Sequence, residues 1–565
     1  MSGTVLDEPI CIYDNWSAYD ELSDTIELTE ELALRELEEL LRLRRAGVRL
    51  DYYLMDAFWY DPDGGYRVWR KPHWPEGPDR WLERCLGQGV KPGLWISSNT
   101  LCKLNPIPAW TSSLNESRSA ACFFHGGFWP HLLETLHIWY ERGVRLFKFD
   151  FCDLYAAPPS LQQTMLPHTE IRRLNIAVLS AGLKAFRAEH PEVVLTAYNG
   201  FEEHKEDAVG GSSRMFISPR WLDVFDSVYC GDPAPSDVPA MNFFRSVDIY
   251  SDLRVQAYQR NGLPLHRIDN CGFMGGPAGT CYGRNDIGWK GMLILSLARG
   301  GWVNSYHGAL ELYDEEEADW FAKVQSMFLP LQQHGRAFTF GGDAARAEPY
   351  GFASHDGRGA LLSVVNPSQS VATLSLPIVP LEADTPPGVR ILFRDAGLAV
   401  SVEGGRVVLG PEQLALVGIG RYAAEAYSLG TQDDIVIPSA ISRIPAHFVR
   451  TGEQAISATV IPRQAGTIRV IARQLDASGR PLKTWSREHG NRSMGELLLL
   501  TAEQNGRCLP VAVRYDRRVW SGLSWAAGEI STGSFDPHQS VVVQFHSEEV
   551  SRPTLECELY LVQYD

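Results

Sequence analysis

The stretch YERGVRLFKFD (140–150) joins the end of an amphipathic helix to a glycine and a short apolar strand. The same order of features occurs in RRAGVRLDYYLMD (44–56) and in LGQGVKPGLWIS (86–97). Glycine adopts the left-handed conformation that ends a helix without steric cost, and near-continuous apolar strands are typical of a parallel sheet covered by helices. These repeated units predict alternating helices and parallel strands.

The pattern continues along the first 335 residues and gives eight candidate strands. They are predicted at residues 10–16, 48–56, 90–97, 144–150, 193–199, 224–232, 263–269 and 301–307. Stretches of helical length lie between them, and Thr29 is placed to cap the first helix, with Glu30 and Glu31 in its first turn. Eight alternating units predict a (β/α)₈ TIM barrel. A doubly wound open sheet is the competing architecture, but no GxGxxG motif follows an early strand.

The sequence changes character after about residue 335, where short segments alternate apolar and polar residues between Gly, Pro and Asp turns. This alternation is typical of antiparallel sheets. We predict two C-terminal antiparallel β-sandwich domains. The chain then divides into a catalytic barrel at 1–335, a first sandwich at 336–425 and a second sandwich-like domain at 426–565.

The composition narrows the possible partners and compartments. The 565 residues carry 52 Lys and Arg against 69 Asp and Glu, a net charge of −17, and Arg42, Arg44 and Arg45 form the one basic cluster. Because nucleic-acid binding needs a larger basic footprint, we expect no nucleic-acid partner. No apolar run approaches 18 residues and no secretion signal is recognisable, so we expect no membrane partner. The ten cysteines include no CxxC pair, which favours a cytoplasmic protein and leaves its oligomeric state open.

Polar and aromatic side chains collect where the predicted strands end, which is where TIM barrels place their functional groups. In chain order these are Asp14 to Trp16, Asp56, Trp95, Lys148 with Asp150, Asn199, Asp232, Asp269 and His307. Acids and amides hydrogen-bond sugar hydroxyls, and tryptophan faces stack on the apolar side of a sugar ring. The set points to carbohydrate chemistry, in which hydrolysis needs two carboxyl groups across the scissile bond.

Lys148 and Asp150, in FKFDFC (147–152), give the most specific functional signal in this set. Alternation along a strand sends both side chains to one face, into the mouth of the barrel. A neighbouring ammonium keeps a carboxylate ionised, as a nucleophile requires. A buried structural ion pair is the alternative interpretation of the same spacing.

Several segments together resemble the α-galactosidase clan of retaining glycoside hydrolases, families 27 and 36. YDNWSAY (13–19) is similar to the clan's W-N-S-W-type first strand, and Lys148-x-Asp150 to its fourth-strand K-x-D pattern, with a cysteine two residues later as in family 27. The second strand ends in MDAFWY (55–60) where the clan has D-D-G-W, so Ala57 replaces the second Asp. With GVKPGLWIS (89–97) at the third strand, the resemblance covers roughly residues 8–335 and marks a divergent member.

The resemblance implies that Asp150 is the nucleophile and that Trp16, Asp56 and Lys148 contact the sugar. The full set of candidate substrate contacts, including those suggested by their place at strand ends, is Trp16, Asp56, Trp59, Trp95, Lys148, Cys152, Asn199 and Asp269.

The clan's acid/base is an Asp at the end of the sixth strand, a position that VFDSVYCGD (224–232) gives to Asp232. A competing alignment uses FRSVDIYSDLRVQ (244–256), where Arg245 and Asp248 match the Arg-to-Asp spacing of family 27. We prefer Asp232 because the second segment has helical periodicity and lacks strand character.

Two further polar sets receive non-catalytic interpretations. His266, Asp269 and His307 lack the spacing of a metal motif, so neither a metal nor a cofactor is expected. Residues 202–204, of which Glu202 is the first, are interpreted as a solvated charge cluster in a loop.

Together these features predict a retaining, α-galactosidase-like glycosidase that removes a terminal α-linked sugar by double displacement, with its two carboxyl groups about 5–5.5 Å apart. Because Ala57 stands where the clan has its second Asp, the sequence does not fix the identity of the sugar. An isomaltose-type glucoside or a β-L-arabinopyranoside is an alternative substrate. A transglycosylase using the same two acids and a non-catalytic sugar-binding barrel are the alternative functions.

Overall fold

A computed structural model describes residues 6–19, 26–163, 166–202, 216–269, 272–276, 284–384, 388–513, 515–519 and 521–564. The chain divides into two compact units. The first comprises Met1–Asp232, Arg254–Gly279 and Arg299–Gly335, and the second comprises Pro233–Leu253, Thr280–Ala298 and Arg336–Asp565.

The first unit is built around a curled parallel sheet. The first eleven strands of the chain are β1 (Ile10–Asp14), β2 (Tyr52–Met55), β3 (Tyr60–Asp61), β4 (Gly65–Trp69), β5 (Lys91–Ser97), β6 (Leu146–Asp150), β7 (Val194–Ala197), β8 (Ser227–Tyr229), β9 (Ile268–Asp269), β10 (Phe273–Gly275) and β11 (Val303–Gly308). Within the described ranges, nine of them form one sheet in the order β10-β11-β1-β2-β5-β6-β7-β8-β9, and every neighbouring pair is parallel. The predicted TIM-barrel architecture is confirmed.

Two local features of this unit differ from the sequence prediction. The seventh predicted strand, 263–269, is reduced to β9, followed by the separate β10, because Pro264 has no N–H for a strand ladder and the chain turns through a 3₁₀ helix at Leu265–Arg267. The second is an unpredicted antiparallel hairpin, in which β3 pairs with β4 after β2. The Asp61 carboxylate accepts the backbone N–H groups of Asp63 and Gly64 and so closes the hairpin turn.

The α-helices of the first 335 residues lie between most of the strands, as predicted, although the described residues between β7 and β8 contain only a 3₁₀ helix, Pro219–Asp223. They are α1 (Glu30–Arg45), α2 (Asp79–Gly87), α3 (Phe128–Glu141), α4 (Pro159–Gln163), α5 (His168–Glu189), α6 (Phe243–Arg260), α7 (Trp289–Ala298) and α8 (Glu315–Gln333). The Thr29 hydroxyl accepts the Leu32 N–H at 3.1 Å, which confirms the predicted cap of α1. The glycines that follow α1, α2 and α3 have φ of +98°, +64° and +103°, the predicted left-handed conformation, at Gly47, Gly89 and Gly143.

Within the described ranges, no helix is both long and apolar enough to span a membrane.

Four further sheets, antiparallel apart from one parallel edge pair, lie in the second unit. Its strands are β12 (Ala337–Gly341), β13 (Tyr350–His355), β14 (Gly359–Val365), β15 (Ala372–Ser375), β16 (Val389–Asp395), β17 (Ser401–Glu403), β18 (Arg406–Leu409), β19 (Leu414–Gly420), β20 (Gly430–Gln432), β21 (Ala440–Ile444), β22 (Val449–Arg450), β23 (Ala455–Val460), β24 (Thr467–Leu475), β25 (Leu498–Gln504), β26 (Arg507–Leu509), β27 (Ala512–Val513), β28 (Trp525–Ile530), β29 (Val541–Ser547) and β30 (Thr554–Gln563), with a short helix α9 (Met494–Leu497).

These strands form the two predicted sandwiches. In the first, the sheet β12-β13-β14-β19-β16-β20 and the sheet β15-β18-β17 share an apolar core that includes Leu362, Leu374 and Val407. In the second, the sheets β21-β30-β24-β28-β27 and β22-β23-β29-β25-β26 share a core that includes Trp525 and Phe545. The fold class is confirmed, while the domain boundaries at 335/336 and 425/426 stay predictions.

A buried carboxyl group on α1 hydrogen-bonds to the sheet of the first unit. Glu36 is fully buried and accepts a hydrogen bond from the Tyr13 hydroxyl of β1 at 2.8 Å; that hydroxyl also lies 2.9 Å from the Gly308 carbonyl of β11. Burial, reinforced by the negative charge of Glu311, raises the pKa of Glu36 to about 8. Glu36 is thus held as the neutral acid at neutral pH.

We predict that Glu36→Gln removes a pH-dependent loss of stability. Because the folded-state pKa is raised above the unfolded value, the wild type loses stability as the pH rises from about 4.5 through about 8, by on the order of 3–5 kcal/mol. Glutamine stays neutral. The urea midpoint of the variant should therefore increase relative to that of the wild type between pH 5 and pH 9. Glu39→Gln, at a partly exposed position of the same helix, is the matched control and should show no such trend. A midpoint difference that stays constant with pH would contradict the assignment.

Candidate active site

Four charged or titratable side chains meet at the carboxyl ends of β1, β2, β6 and β11. Lys148 Nζ lies 2.9 Å from Asp14 Oδ2 and 2.7 Å from Asp56 Oδ2. His307 Nε2 lies 3.1 Å from the same Asp14 oxygen. Since β6 and β1 are not neighbours in the sheet, Lys148 reaches Asp14 across the inside of the barrel. We name these four residues the polar floor.

The polar floor is almost completely removed from solvent, with 6% or less of each side chain exposed. Burial by itself raises the pKa of Asp14, but the positive charges of Lys148 and His307 outweigh it and hold that pKa below its usual range. Burial raises the pKa of Asp56, and the negative charge of Asp14 adds to the effect. The two acids therefore differ in how readily they take up a proton.

Asp150 ends β6 and is held by three N–H donors. The Trp95 indole donates to Oδ2 at 3.0 Å, while the backbone N–H groups of Phe151 and Asn199 donate to Oδ1 at 2.8 and 3.0 Å. Asp150 is 6% exposed. Its carboxylate is fixed in orientation by strands β5, β6 and the end of β7.

The protonation of Asp150 differs from the sequence expectation that Lys148 dominates it. Burial raises the pKa of Asp150 to about 6, and the negative charge of Asp232 adds to the increase. The positive charge of Lys148 and the Trp95 hydrogen bond act in the opposite direction but do not cancel it. Asp150 still ionises within the neutral range.

Asp232, Asn199 and Asp269 lie among the same strand ends. Asp232 is three residues beyond β8, half-buried, and accepts the Tyr229 hydroxyl at 2.8 Å. Tyr229 stacks on Tyr198 with 4.2 Å between ring centroids, and the Tyr198 hydroxyl donates to Asp269 Oδ2 at 2.7 Å. The Lys148 ammonium lies 4.1 Å from the centroid of the Tyr198 ring. These contacts join the surroundings of Asp232 to the polar floor.

Asp248, the competing acid/base candidate, lies in a different environment. It is on α6, which confirms the helical periodicity of that segment, and it is 3% exposed. Its carboxylate is 2.8 Å from Arg284 Nη1 and 3.5 Å from Arg245 Nη1, all within the second unit. Arg245 in turn pairs with Asp395 at 2.8 Å. Asp248 belongs to a buried charge network that links α6 to β16.

The remaining candidates differ in exposure. Trp16 is half-buried, and its ring contacts Tyr19 and Phe58. Trp95 is 1% and Cys152 is 7% exposed. Trp59 is completely buried, and its indole N–H donates to the Trp95 carbonyl at 3.0 Å.

Sequence reasoning left several residues of this region out of the candidate set. Asp14 and His307 were recognised only as strand ends, and Tyr198 and Tyr229 were not singled out. Position did single out Asp14 and His307, and it could also have found Tyr198, which directly follows β7. Glu202, interpreted as solvated, is half-buried, and burial raises its pKa; residues 203 and 204 lie outside the described residues.

Backbone strain marks three of these strand ends. Ser17, Phe58 and Phe151 follow β1, β2 and β6 with φ of +71°, +74° and +46°. A left-handed conformation costs a residue with a side chain about 1–3 kcal/mol and is concentrated at functional sites. At Phe151 it turns the backbone N–H onto the Asp150 carboxylate.

Possible metal ligands lie away from this region. Among the described residues, His137, Glu189 and His190 place possible ligand atoms within 4.8 Å of one another, at the ends of α3 and α5. His137 Nδ1 and His190 Nε2 are 2.8 Å apart and hydrogen-bond to each other.

We predict that Lys148→Met destabilises the barrel by about 3–5 kcal/mol, because it leaves two buried carboxyl groups without their cation. Lys184→Met is the matched control, since Lys184 makes only an exposed ion pair with Asp223 at 4.0 Å and should change stability by no more than about 1 kcal/mol. Urea unfolding followed by tryptophan fluorescence measures both. Equal effects of the two substitutions would show that the polar floor does not depend on Lys148.

Comparison with known proteins rests on structure alone. No protein-family model and no curated protein matches the sequence. A GH36 α-galactosidase variant from Geobacillus stearothermophilus in complex with stachyose aligns with a TM-score of 0.51 and 13% identity, over 73% of this chain and 55% of that one. An α-galactosidase from Lactobacillus brevis aligns with a TM-score of 0.51 and 12% identity, over 74% and 56%. This chain spans about half the length of those proteins, and it shares their fold over the aligned part.

Proposed function

We propose that the protein is a retaining glycosidase that removes a terminal α-linked sugar, in the manner of an α-galactosidase. The observation that carries the proposal is the setting of Asp150: a buried carboxylate at a strand end, oriented by three N–H donors and electrostatically coupled to a second carboxyl group, Asp232. A nucleophile and a neighbouring acid are what double displacement at a sugar requires.

The proposed reaction has two steps. In the first, an Asp150 oxygen bonds to the anomeric carbon while that carbon's bond to the leaving oxygen breaks, and the Asp232 carboxylic acid gives its proton to the leaving oxygen. In the second, Asp232 removes a proton from water, the water oxygen bonds to the anomeric carbon, and the Asp150 ester bond breaks. Two inversions give overall retention and return both acids to their starting states.

The polar floor would hold the hydroxyl groups of the terminal sugar. Its acids can accept hydrogen bonds from the hydroxyls, and Lys148 and His307 supply donors. Trp16 is half-buried and can offer ring surface to the sugar, whereas the completely buried Trp59 would support Trp95 from behind. Cys152, which is 7% exposed, would line one side of the sugar site.

We propose Asp232 as the acid/base in preference to Asp248. The negative charge of Asp232 raises the pKa of Asp150. Asp232 follows β8, whose neighbours in the sheet are β7, followed by Asn199, and β9, which ends at Asp269. Asp248 is held by two guanidinium groups, so its carboxylate is not free to protonate a leaving group.

The partner that this proposal implies is an oligosaccharide or a simple glycoside, as in the stachyose complex of the Geobacillus stearothermophilus protein. A cytoplasmic location is part of the proposal; none of the eight described cysteines forms a disulfide, in keeping with a reducing compartment.

We predict that azide separates the roles of the two acids. Asp150→Ala should lose at least about 10³-fold in activity on p-nitrophenyl glycosides, and azide should restore turnover with the product inverted to the β-azide. Asp232→Ala should retain activity on good leaving groups, lose about 10²–10⁴-fold on poor ones, and give the α-azide. Proton NMR identifies each anomer and also shows whether water or an added sugar accepts the glycosyl group.

Asp248→Ala is the control for the acid/base assignment and should give no azide product. Full activity of Asp150→Ala, or a β-configured first product from the wild type, would overturn the proposed mechanism.

A further inference from the structure

Phe151 is an exposed aromatic residue directly after the proposed nucleophile. Its side chain is 40% exposed, although a phenylalanine is ordinarily buried. Its φ of +46° is a left-handed conformation that asparagine or glycine adopts more easily. The hydrogen bond to Asp150 uses only the Phe151 backbone N–H. The turn and the hydrogen bond therefore do not explain why the side chain is a phenyl ring.

The loop that carries Phe151 is held in place by asparagine side chains. Asn99 donates to the Asp153 carbonyl at 2.8 Å and accepts the Asp153 N–H at 2.7 Å. Asn175 donates to the carbonyls of Leu154 and Ala156 at 2.9 and 3.0 Å. The Phe151 ring also makes an edge contact with Trp95, 6.0 Å between centroids. These hydrogen bonds and the ring contact hold the Phe151 ring in a fixed position relative to Asp150.

Exposure increases from the polar floor outward through Asp150 to Phe151. The floor residues are 0–4% exposed, Asp150 is 6% and Phe151 is 40% exposed. A sugar whose hydroxyls contact the floor presents its anomeric carbon to Asp150, so the group attached to that carbon extends toward solvent. Phe151 is the most exposed residue of this series.

We propose that the Phe151 ring is the binding surface for the leaving group, a sugar or aryl ring that stacks on it. The inference rests on the proposed function and adds a binding residue for the part of the substrate that departs. A phenyl face recognises the apolar face of a ring and makes no demand on its hydroxyl pattern. The site thus accepts leaving groups that share a ring and differ in their polar groups, and the same surface receives an acceptor ring in the reverse direction.

The test compares two substrates with the same sugar and different leaving groups. α-Galactosyl, α-glucosyl and β-L-arabinopyranosyl fluorides first identify the sugar that the wild type takes. The p-nitrophenyl glycoside of that sugar, whose leaving group has a ring, is then compared with the fluoride, whose leaving group has none. Neither depends strongly on acid assistance, so Asp232 does not confound the comparison.

Phe151→Asn keeps a residue suited to the left-handed turn and removes the ring, while Phe151→Tyr keeps the ring. We expect Phe151→Asn to lower kcat/KM on the p-nitrophenyl glycoside about tenfold, equivalent to about 1.4 kcal/mol, and to change the fluoride rate less than twofold. Phe151→Tyr should match the wild type on both. Equal losses on both substrates, or no loss on either, would overturn the role of Phe151.

Failure of the proposed function gives a different result. If the wild type turns over none of the three fluorides, the glycosidase proposal fails, and calorimetric binding of the three p-nitrophenyl glycosides tests Phe151 separately. An affinity about tenfold weaker in Phe151→Asn than in Phe151→Tyr supports the binding surface, and equal affinities or no binding overturn it.

Discussion

The ion pairs of Lys148 with Asp14 and Asp56 constrain the rest of this structure. An ammonium and two carboxyl groups are buried together at the centre of the barrel, with 6% or less of each side chain exposed. Each charge is costly to bury unless the others are present. Strands β1, β2 and β6 must therefore end at matching depths, and His307 adds β11 through its contact with Asp14. The curl of the sheet and the assembly of the polar floor therefore depend on each other.

Much of the fold could be predicted because its signals are local. The glycines Gly47, Gly89 and Gly143 end helices before strands, and alternation after residue 335 indicates antiparallel sheets. The broken seventh strand and the hairpin at 60–69 were missed, since Pro264 and the Asp61 turn override the apolar pattern. Strand ends supplied Asp56, Lys148 and Asp150 of the site. The partner of Lys148 across the barrel could not be predicted, because β6 and β1 meet only in three dimensions.

Burial is the largest influence on the pKa of Asp150. Sequence reasoning assigned its charge state to the nearby lysine, but Lys148 is occupied by two other acids, and desolvation is the larger effect on the pKa of Asp150. The three N–H donors compensate in part and fix the carboxylate before any substrate arrives. Such preorganisation is a common source of catalytic power. One of these donors is the backbone N–H of Phe151, and the left-handed backbone conformation that brings it to Asp150 is strained.

Covalent attachment of the sugar to Asp150 is tested by the mass of the protein after treatment with 5-fluoro-α-D-galactosyl fluoride or its glucosyl counterpart. Such reagents trap a glycosyl-enzyme ester when a retaining nucleophile attacks them. We expect a mass increase of one fluorosugar, located by peptide mapping on Asp150 and absent from Asp150→Asn. A label on any other carboxyl group, or an unlabelled protein that still turns over the matching glycoside, would contradict it.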